Sequence, residues 1–456
     1  MLKIVILALT CFLAFHAHAF GIRMLSPTKE VFLQENLNKT NLVVEIKGCK
    51  KTPTGHFWSS HKNIQFKMQK LPFKYHWAAK ISIENEHQGI FYFQCGKHSR
   101  SFFRKIHLEN LARGPILVAK SFIRTHSAPK LSWNWSEAIL LYAMAKYSDD
   151  RLSMWQQELT QYLKQYHQYY LQNPPKIDWA DRCPSALSGL LLAKQTGDRT
   201  GLANAHRVAD FLHNSKRNAF GSLNHFGNDT FMARLFPASI WVDSLMMWAL
   251  FAVQYGKDMN DQSLFDFGLE QMEIFYKYLY SKQTGLFYHA WNVDKNTPYP
   301  KNNTFWLRGN GWVIAALIDM LDQLPPSDAR YKPLAQKFQG LAHATLKYRL
   351  DNFLWDTLIS MPGKGYSESS GSALIAYAYA KGARLKLLPA EFKHRALETY
   401  NALNARLINE KDKSSLPEIS WLTMPYGPLV YKIIPRKKNM PYGIGAYLLL
   451  AREFEL

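Results

Sequence analysis

The chain has 456 residues, 47% of them hydrophobic and 14% aromatic, which is enough for a large buried core and favours two domains over one. With 56 Lys and Arg against 35 Asp and Glu, its net charge of +21 suits an acidic polysaccharide, a nucleic acid or an anionic membrane as partner, or an ordinary solvated surface. The sequence has no HExxH motif, no zinc-like Cys or His spacing, and no segment beyond the N-terminus with about 18 uninterrupted apolar residues.

Residues 1–19 have the features of a secretory signal peptide. Lys3 forms a basic n-region, residues 4–15 form an apolar h-region, and the Ala-His-Ala of residues 17–19 is a small-x-small cleavage site. The h-region is too short to cross a bilayer. We therefore expect a mature protein that begins near Phe20 and is secreted or periplasmic, with no stable membrane insertion and no nucleic-acid partner.

Residues 20–110 are predicted to form a small β domain. Short apolar or alternating segments recur at residues 42–46, 64–68, 77–83 and 90–95. Strands at this spacing, separated by turns, favour a sandwich-like fold. Cys49 and Cys95 lie in this region and are predicted to form a disulfide in an oxidising compartment, whereas Cys183 is expected to be buried and unpaired.

Between residues 111 and 456 the hydrophobic pattern becomes helical. Twelve helices are predicted, over residues 115–127, 133–148, 151–172, 184–196, 199–214, 239–256, 261–281, 309–323, 329–350, 368–382, 390–409 and 441–454. Six helical hairpins can close into an (α/α)6 toroid or continue as an open solenoid. Residues 313–318 and 374–379 are apolar nearly all round, as inner helices of a toroid would be. In a toroid, the loops before the inner helices converge on one central pocket.

Several unusual segments stand where the predicted inner helices begin. The most informative is 306–312, in which Trp306 and Trp312 offer faces for sugar rings and Arg308 offers a fork for a carboxylate. The other segments are 181–184, 241–247, 289–291, 368–373 and 441–446. The pocket would thereby collect carboxylates, a histidine, an arginine and several aromatic rings, which together suit an acidic sugar.

Asp181 and Asp243 are the candidate acid–base pair. Two carboxyl groups in one pocket push their pKa values apart, so that one can donate a proton and the other can accept one. Apolar neighbours such as Met247, which is otherwise a core candidate, are expected to raise the pKa of Asp243 and keep it protonated near neutral pH.

Each of these residues also has a purely structural interpretation. Asp181 and Asp243 are both placed to cap a helix, and Glu368 is placed to complement a helix dipole. His289 lies on a loop rich in Tyr and Trp, where a packed histidine is common. Arg308 is the residue that this interpretation explains least well, because it lies between two Trp residues and next to Gly-Asn-Gly.

These segments, in this order, resemble glycoside hydrolase families 88 and 105, the unsaturated glucuronyl and rhamnogalacturonyl hydrolases. The matching pieces are residue 181 with 196–198, and residues 241–247, 285–291, 306–312, 368–373 and 442–447. The resemblance extends from about residue 130 to the C-terminus, and it implies that residues 111–456 form an (α/α)6 barrel, the six-hairpin toroid, as the catalytic domain. Residues 20–110 have no counterpart in the usual single-domain members.

The resemblance also implies roles. Asp243 would hydrate the C4=C5 bond of a terminal Δ4,5-unsaturated uronic acid, protonating C4 and then activating water for attack at C5. Asp181 would orient the sugar and tune Asp243. The candidate substrate-binding residues are His289, Trp291, Trp306, Arg308, Trp312, Met247, Glu368 and Tyr442. His225 is the nearest candidate for a further pocket histidine. No metal or cofactor is implied, and the partners would be acidic oligosaccharides made by polysaccharide lyases.

Two other functions fit parts of the sequence. A polysaccharide lyase needs a base, a proton donor and a cation at the uronate, which Tyr288, His289 and Arg308 would supply. A non-catalytic glycan-binding protein would use residues 22–110, which hold 15 Lys and Arg against 6 Asp and Glu. The long segment 410–440 is either a gate that selects chain length or a surface connection.

Overall fold

The computed structural model describes most of the chain from Gly21 onwards. The described residues are 21–26, 30–32, 39–47, 52–58, 63–70, 76–82, 88–95, 98–107, 113–147, 154–300, 303–410 and 413–455. The predicted signal peptide, residues 1–19, and Cys49 lie outside them. Contacts divide the chain into two compact units, Met1–Asn110 and Leu111–Leu456.

The described part of the N-terminal unit consists of strands. They are β1 (Gly21–Ser26), β2 (Glu30–Phe32), β3 (Lys39–Lys47), β4 (Thr54–Trp58), β5 (Asn63–Lys67), β6 (Gln69–Lys70), β7 (His76–Ser82), β8 (Gln88–Cys95) and β9 (His98–His107). One sheet has the order β1-β3-β7-β6 and the other the order β2-β9-β8-β4-β5, with β2 and β9 parallel. Phe66 and Phe93 are buried, and their rings meet edge to face at 6.1 Å. This is the predicted sandwich-like arrangement; the Cys49–Cys95 disulfide stays a prediction.

Helices make up most of the second unit. They are α1 (Arg113–Thr125), α2 (Trp135–Tyr147), α3 (Met154–Gln172), α4 (Ser185–Thr196), α5 (Leu202–Asn214), α6 (Phe231–Leu235), α7 (Leu250–Met259), α8 (Gln262–Leu279), α9 (Leu307–Gln323), α10 (Tyr331–Leu346), α11 (Ser369–Arg384), α12 (Ala390–Asn404), α13 (Pro428–Ile433) and α14 (Pro441–Glu455). Each of the twelve predicted helices is present, and α6 and α13 are additional short ones. The predicted start at 239 was wrong, because Ser239–Trp241 is a strand and the helix before α7 begins near Asp243.

The helices form a closed ring of six hairpins. The inner helices are α2, α4, α7, α9, α11 and α14; each contacts the next, and α14 contacts α2 again. The outer helices are α1, α3, α5, α8, α10 and α12. Residues 307–321 of α9 are all buried, as expected for a helix that is surrounded on every side. The ring closure confirms the toroid over the open solenoid.

Short strands fill the loops at the end of the ring where the inner helices begin. They are β10 (Ser239–Trp241), β11 (Ala290–Asn292), β12 (Thr297–Tyr299), β13 (Trp355–Asp356), β14 (Ser367–Glu368), β15 (Ile408–Glu410), β16 (Lys413–Ser415), β17 (Ile419–Ser420) and β18 (Arg436–Lys437). β10, β11 and β12 form an antiparallel sheet. In the chain, β10 comes before α7, and β11 and β12 come before α9. β17, α13 and β18 together form an insertion before α14. These elements hold the side chains of the candidate site.

A buried charge cluster joins the inner helices further along the ring axis. The Asp319 carboxylate accepts hydrogen bonds from Tyr142 at 2.7 Å, from Tyr377 at 2.5 Å and from Lys381 at 2.5 Å. Burial by itself would raise the pKa of Asp319, but the neighbouring lysines and hydroxyls hold it below its usual range. Asp319 is eleven positions after Arg308 on α9, so the cluster lies about 16 Å along the helix from the candidate site.

Candidate active site

Asp243 lies in the first turn of the helix that leads into α7. A π-helical turn, Leu245–Ala249, follows it directly, and such turns are rare and concentrate at functional sites. The Asp243 side chain keeps 16% of its exposure, and its Oδ2 atom lies 3.4 Å from His289 Nε2. Neither of these two atoms has a hydrogen-bond partner among the described residues. The helix start therefore presents an incompletely paired carboxylate to the central pocket.

The expectation that Asp243 is protonated was wrong. Burial acts to raise the pKa of this carboxyl, but His289, with smaller effects from His225 and Arg308, outweighs burial and lowers the pKa below its usual value. The distance of 3.4 Å between His289 Nε2 and Asp243 Oδ2 is long for a hydrogen bond. The effect of His289 is therefore that of an N–H dipole directed at the carboxylate. Asp243 is therefore ionised near neutral pH.

Asp181 is the carboxyl group of the pair whose pKa is raised. It lies in the 3-10 turn Ala180–Arg182 before α4, and neither it nor Asp243 accepts a hydrogen bond from a helix N–H in the described chain. Burial, together with the charge of Asp243, raises its pKa well above the usual value. The pKa values of the two carboxyl groups are thus pushed apart, with Asp181 rather than Asp243 as the group that is protonated more easily.

His225 belongs to this group, as the sequence only suggested. Its ring stacks on Trp241 with centroids 4.4 Å apart, and its Nδ1 lies 3.1 Å from Ser244 Oγ. Its Nε2 lies 3.7 Å from Asp181 Oδ1. Burial lowers the pKa of His225 to about 4, so this contact is not an ion pair at neutral pH. The irregular segment that carries His225 gives no periodic signal, which is why the sequence left its position open.

The rings of Trp306 and Tyr431 pack beside the imidazole of His289 and form an aromatic wall. The imidazole stacks on Trp306 with centroids 4.3 Å apart, and its Nδ1 lies 2.7 Å from the hydroxyl of Tyr431. Tyr431 comes from α13, inside the segment 410–440, and it was not among the predicted site residues. The segment is therefore part of the site rather than a surface connection alone.

Arg308 is held between two aromatic rings. Its guanidinium carbon lies 4.6 Å from the ring of Trp306 and 4.6 Å from the ring of Tyr442. Its fork donates to the carbonyl oxygens of Ser420 at 2.7 Å and Trp421 at 3.0 Å. In this arrangement Arg308 fixes the β17 segment, and binding a uronate carboxylate would require it to exchange these bonds.

Glu368 and Tyr442 also hold the β17 segment. The Glu368 carboxylate caps α11 by accepting from the N–H groups of Ser370 at 3.0 Å and Gly371 at 2.7 Å, and it accepts from Ser420 N–H at 3.0 Å. Tyr442 donates its hydroxyl to the Ser420 carbonyl at 2.6 Å. Glu368 thus follows the structural interpretation of a charge at a helix N-terminus.

Comparison with known proteins agrees with this fold. The family model described as Glycosyl Hydrolase Family 88 matches residues 117–455. This chain belongs to glycosyl hydrolase family 88.

Individual relatives of this family 88 chain are similar over part of their length. Unsaturated rhamnogalacturonyl hydrolase YesR of Bacillus subtilis (strain 168) is 30% identical over 197 residues, 43% of this chain and 56% of that protein. An unsaturated 3S-rhamnoglycuronyl hydrolase of Alteromonas sp. (strain LOR) is 25% identical over 218 residues, 47% of this chain and 50% of that protein. The matched part of the chain therefore spans about half the length of these curated relatives.

The fold comparison covers more of the chain. A family 105 glycoside hydrolase of C. acetobutylicum ATCC 824 aligns at 25% sequence identity with a TM-score of 0.65, over 75% of this chain and 99% of that one. The six-hairpin toroid of families 88 and 105 is thereby confirmed for the helical unit.

The structure does not bring every predicted residue of this family 88 protein to the pocket. The Trp291 ring packs near Tyr278 at 6.1 Å, and its indole N–H donates to Asn296 at 3.0 Å. Met247 is fully buried in the π turn, and Trp312 is fully buried on α9. Direct contact of these three with a sugar stays a prediction. Trp135, which was not predicted, is half-buried and stacks on Tyr442 at 4.7 Å.

The described part of the family 88 chain has neither a metal-binding group of side chains nor a helix that could span a membrane. No three His, Cys, Asp or Glu side chains there are grouped to hold a metal ion. Within the same residues, no helix combines the length and apolar character needed to cross a membrane. The expectation that no metal or cofactor takes part stays a prediction.

Proposed function

We propose that this protein is a glycosidase that removes a terminal Δ4,5-unsaturated uronic acid from an oligosaccharide by adding water across its C4=C5 bond. Family membership and the names of its relatives support this class of substrate. The observation that carries the proposal is the geometry of the carboxyl pair: Asp243 Oδ2 lies 3.4 Å from His289 Nε2 with no hydrogen-bond partner in the described chain, and Asp181 Oδ1 lies 3.7 Å from His225 Nε2. The pKa of Asp181 is raised and that of Asp243 is lowered. A vinyl ether needs one proton donor and one base at neighbouring carbons, and the pair supplies both.

We assign the reacting contact to Asp243, because its Oδ2 has no hydrogen-bond partner in the described chain and its side chain keeps 16% exposure. Asp181 holds the proton of the free protein. A bound uronate adds a negative charge next to Asp243, which raises the pKa of that carboxylate and favours transfer of the proton from Asp181 to it. The proton then goes to C4, and the Asp243 carboxylate takes a proton from the water whose oxygen bonds to C5. The resulting C5 hemiketal opens the ring and releases the rest of the oligosaccharide.

The aromatic side chains near His289 provide the surface on which the sugar ring packs. The half-buried Trp135 offers an apolar face of the kind that binds sugar rings, whereas Trp306 is buried and packs against His289 and Arg308. Arg308 keeps the positive charge of the pocket close to these rings, since its guanidinium packs against the ring of Trp306. An acidic sugar next to Asp243 therefore meets a nearby positive charge.

The ultraviolet absorbance of the conjugated enol-ether carboxylate tests the proposal. Purified protein is mixed with unsaturated uronyl disaccharides, beginning with those linked to rhamnose because the names of the relatives contain that sugar, and separately with intact acidic polysaccharides. We expect the absorbance to fall on a disaccharide. In Asp243→Asn the rate should drop roughly 10²–10⁴-fold, the usual contribution of general acid–base catalysis.

The matched control is Asp210→Asn, which makes the same change on the outer helix α5, where Asp210 is exposed. It should keep the wild-type rate. Full activity of a folded Asp243→Asn protein would remove Asp243 from its assigned role. A rising absorbance on a polymer would make the protein a lyase, and a flat signal on the whole panel would favour a glycan-binding protein.

We also propose that residues 1–19 direct export, so that the substrate is met outside the cytoplasm. Intact-mass measurement of the protein from culture medium and periplasm tests this, with cleavage expected after Ala19. A full-length mass in the cytoplasmic fraction alone would contradict export.

A further inference from the structure

Tyr431, on α13, reaches the candidate site. Its hydroxyl contacts Nδ1 of His289, whereas the other ring nitrogen, Nε2, is the one near Asp243. Tyr431 is fully buried, and its hydroxyl lies 2.7 Å from His289 Nδ1. Its ring lies nearly parallel to Trp306, at an interplanar angle of 11° and a centroid distance of 6.5 Å. The other ring nitrogen of His289, Nε2, lies 3.4 Å from Asp243 Oδ2. The three side chains therefore form a row from phenol to imidazole to carboxylate.

The protonation states leave two directions for the first hydrogen bond. Burial, with the charge of Asp243, raises the pKa of Tyr431 well above its usual value, so the phenol keeps its proton. Burial lowers the pKa of His289, so the imidazole is neutral near pH 7 and carries one N–H. A neutral imidazole has one donor and one acceptor nitrogen, and a hydroxyl can donate or accept. Either the phenol O–H donates to Nδ1 and the imidazole proton is on Nε2, or Nδ1–H donates to the phenol oxygen and Nε2 has no proton.

The second contact depends on this choice. With the proton on Nε2, an N–H faces the Asp243 carboxylate. With the proton on Nδ1, a nitrogen lone pair would face Oδ2, and two acceptors at 3.4 Å would repel each other. Neither Nε2 nor Oδ2 has another hydrogen-bond partner in the described residues, so nothing else there compensates for the wrong tautomer.

We infer that Tyr431 is a positioning residue, whose hydroxyl fixes the proton of His289 on Nε2 and thereby directs that N–H at Asp243. Its catalytic meaning rests on the proposed function, but the tautomer is a property of the folded protein alone. The α13 insertion would then complete the acid–base site rather than merely cover it.

Other charged and titratable groups around this row come from each neighbouring element. They are His225 from the loop before α6, Asp181 before α4, Arg308 on α9 and Tyr299 on β12. His225, with its pKa lowered to about 4, and the protonated Asp181 are neutral near pH 7. The positive charge of Arg308 is unchanged by Tyr431→Phe, so the effect of that substitution reports on the hydroxyl.

Long-range ¹H–¹⁵N spectra of protein labelled with ¹⁵N-histidine test the tautomer directly. The chain has 16 histidines, and loss of one signal in His289→Gln assigns the resonance. We expect a protonated Nε2 and an unprotonated Nδ1 in the wild type. In Tyr431→Phe, Nδ1 loses its hydrogen-bond donor and the preference for a proton on Nε2 rests on the Asp243 carboxylate alone, so the fraction of His289 with its proton on Nδ1 should rise. A wild-type His289 with its proton on Nδ1 would overturn the inference even if the variant failed to fold.

The matched control is Tyr379→Phe, which removes another buried hydroxyl, one that pairs with Thr345 at 2.8 Å and with the Ala342 carbonyl at 3.0 Å. It should leave the His289 signals unchanged. An unchanged His289 in folded Tyr431→Phe would also overturn the inference.

The pH profile of kcat/KM gives a second readout. Without the Nε2–H dipole the pKa of Asp243 rises, so the acid limb in Tyr431→Phe should move up by about one pH unit and the maximum should fall roughly tenfold. A uniform fall with an unmoved limb would reduce Tyr431 to a structural role. If the wild type turned over no substrate, the proposed function would fail while the spectra would still decide the tautomer.

Discussion

Each end of the inner-helix ring contains a buried carboxylate, and the two carboxylates differ in the hydrogen bonds that they accept. At one end, both oxygens of Asp319 accept hydrogen bonds, from Tyr142 on one side and from Tyr377 and Lys381 on the other. At the end where the inner helices begin, Asp243 Oδ2 faces His289 Nε2 with no hydrogen-bond partner in the described chain. Both carboxylates have a lowered pKa, so both are ionised.

The difference separates a charge used for stability from a charge available for chemistry. A fully paired carboxylate has no capacity left for a substrate, and removing it leaves its cationic partners buried without compensation. A carboxylate with an unpaired oxygen costs stability, and this cost is typical of sites that must bind and react. The same ring therefore holds a structural carboxylate at one end of its inner helices and a reactive carboxylate at the other.

Asp319→Ala should give the largest loss of stability. It leaves the buried Lys381, whose side chain is 2% exposed, with only the partly exposed Asp322 as a carboxylate partner, and breaking a buried pair costs about 3–5 kcal/mol. Urea unfolding followed by circular dichroism measures the change, and the folded fraction should keep its turnover. The control is Asp322→Ala, which removes a carboxylate that is 33% exposed from the same lysine and should cost less than about 1 kcal/mol. Equal losses in the two variants would remove the special status of Asp319.

Glu368→Ala should have an intermediate effect on stability. Its carboxylate caps α11 and also accepts from Ser420 N–H, so the loss of the cap and of that bond should cost about 2 kcal/mol. Because the β17 segment loses one of its ties, limited proteolysis should cut near residue 420 sooner than in the wild type. Glu368→Gln keeps an acceptor oxygen and should lose less. A Glu368→Ala protein as stable and as protease-resistant as the wild type would contradict the capping role.

Asp181→Asn should have the smallest effect, and it should stabilise. The folded protein holds the Asp181 proton to a higher pH than the unfolded chain does, because burial raises its pKa. Between the two pKa values the unfolded chain binds fewer protons, so this group makes the free energy of unfolding fall as the pH rises. The variant lacks that loss, and its Tm should exceed the wild-type Tm by about 2 °C near neutral pH.

The Asp181→Asn advantage should shrink toward pH 4, where both states of the wild type bind the proton. Calorimetry over this pH range checks the trend, with Asp210→Asn as the variant that should follow the wild-type curve. A constant difference at every pH would mean that Asp181 is ionised in the folded protein.

The sequence was sufficient for elements whose pattern is local. The apolar residues of α9 and α11 recur with a helical period and are buried on all sides, so both helices were predictable within a few residues. The segments at 181, 243, 289 and 306–312 were placed at the starts of inner helices by the same pattern. The first turn before α7 was misplaced, because residues 239–241 pair with β11, a partner about 50 positions away.

The sequence by itself determined the helices, the resemblance to families 88 and 105 and the segments at the starts of the inner helices, because these depend on periodicity and on short motifs; the closure of the ring was implied only by the resemblance. Only the tertiary structure decided which carboxyl holds the proton, that Arg308 and Glu368 hold the β17 segment, and that Tyr431 reaches His289. A pKa depends on burial and on the charges that surround a group in space, and Tyr431 lies 142 positions from His289 in the chain. Contacts of that kind are set by packing of the whole ring, which no local pattern records.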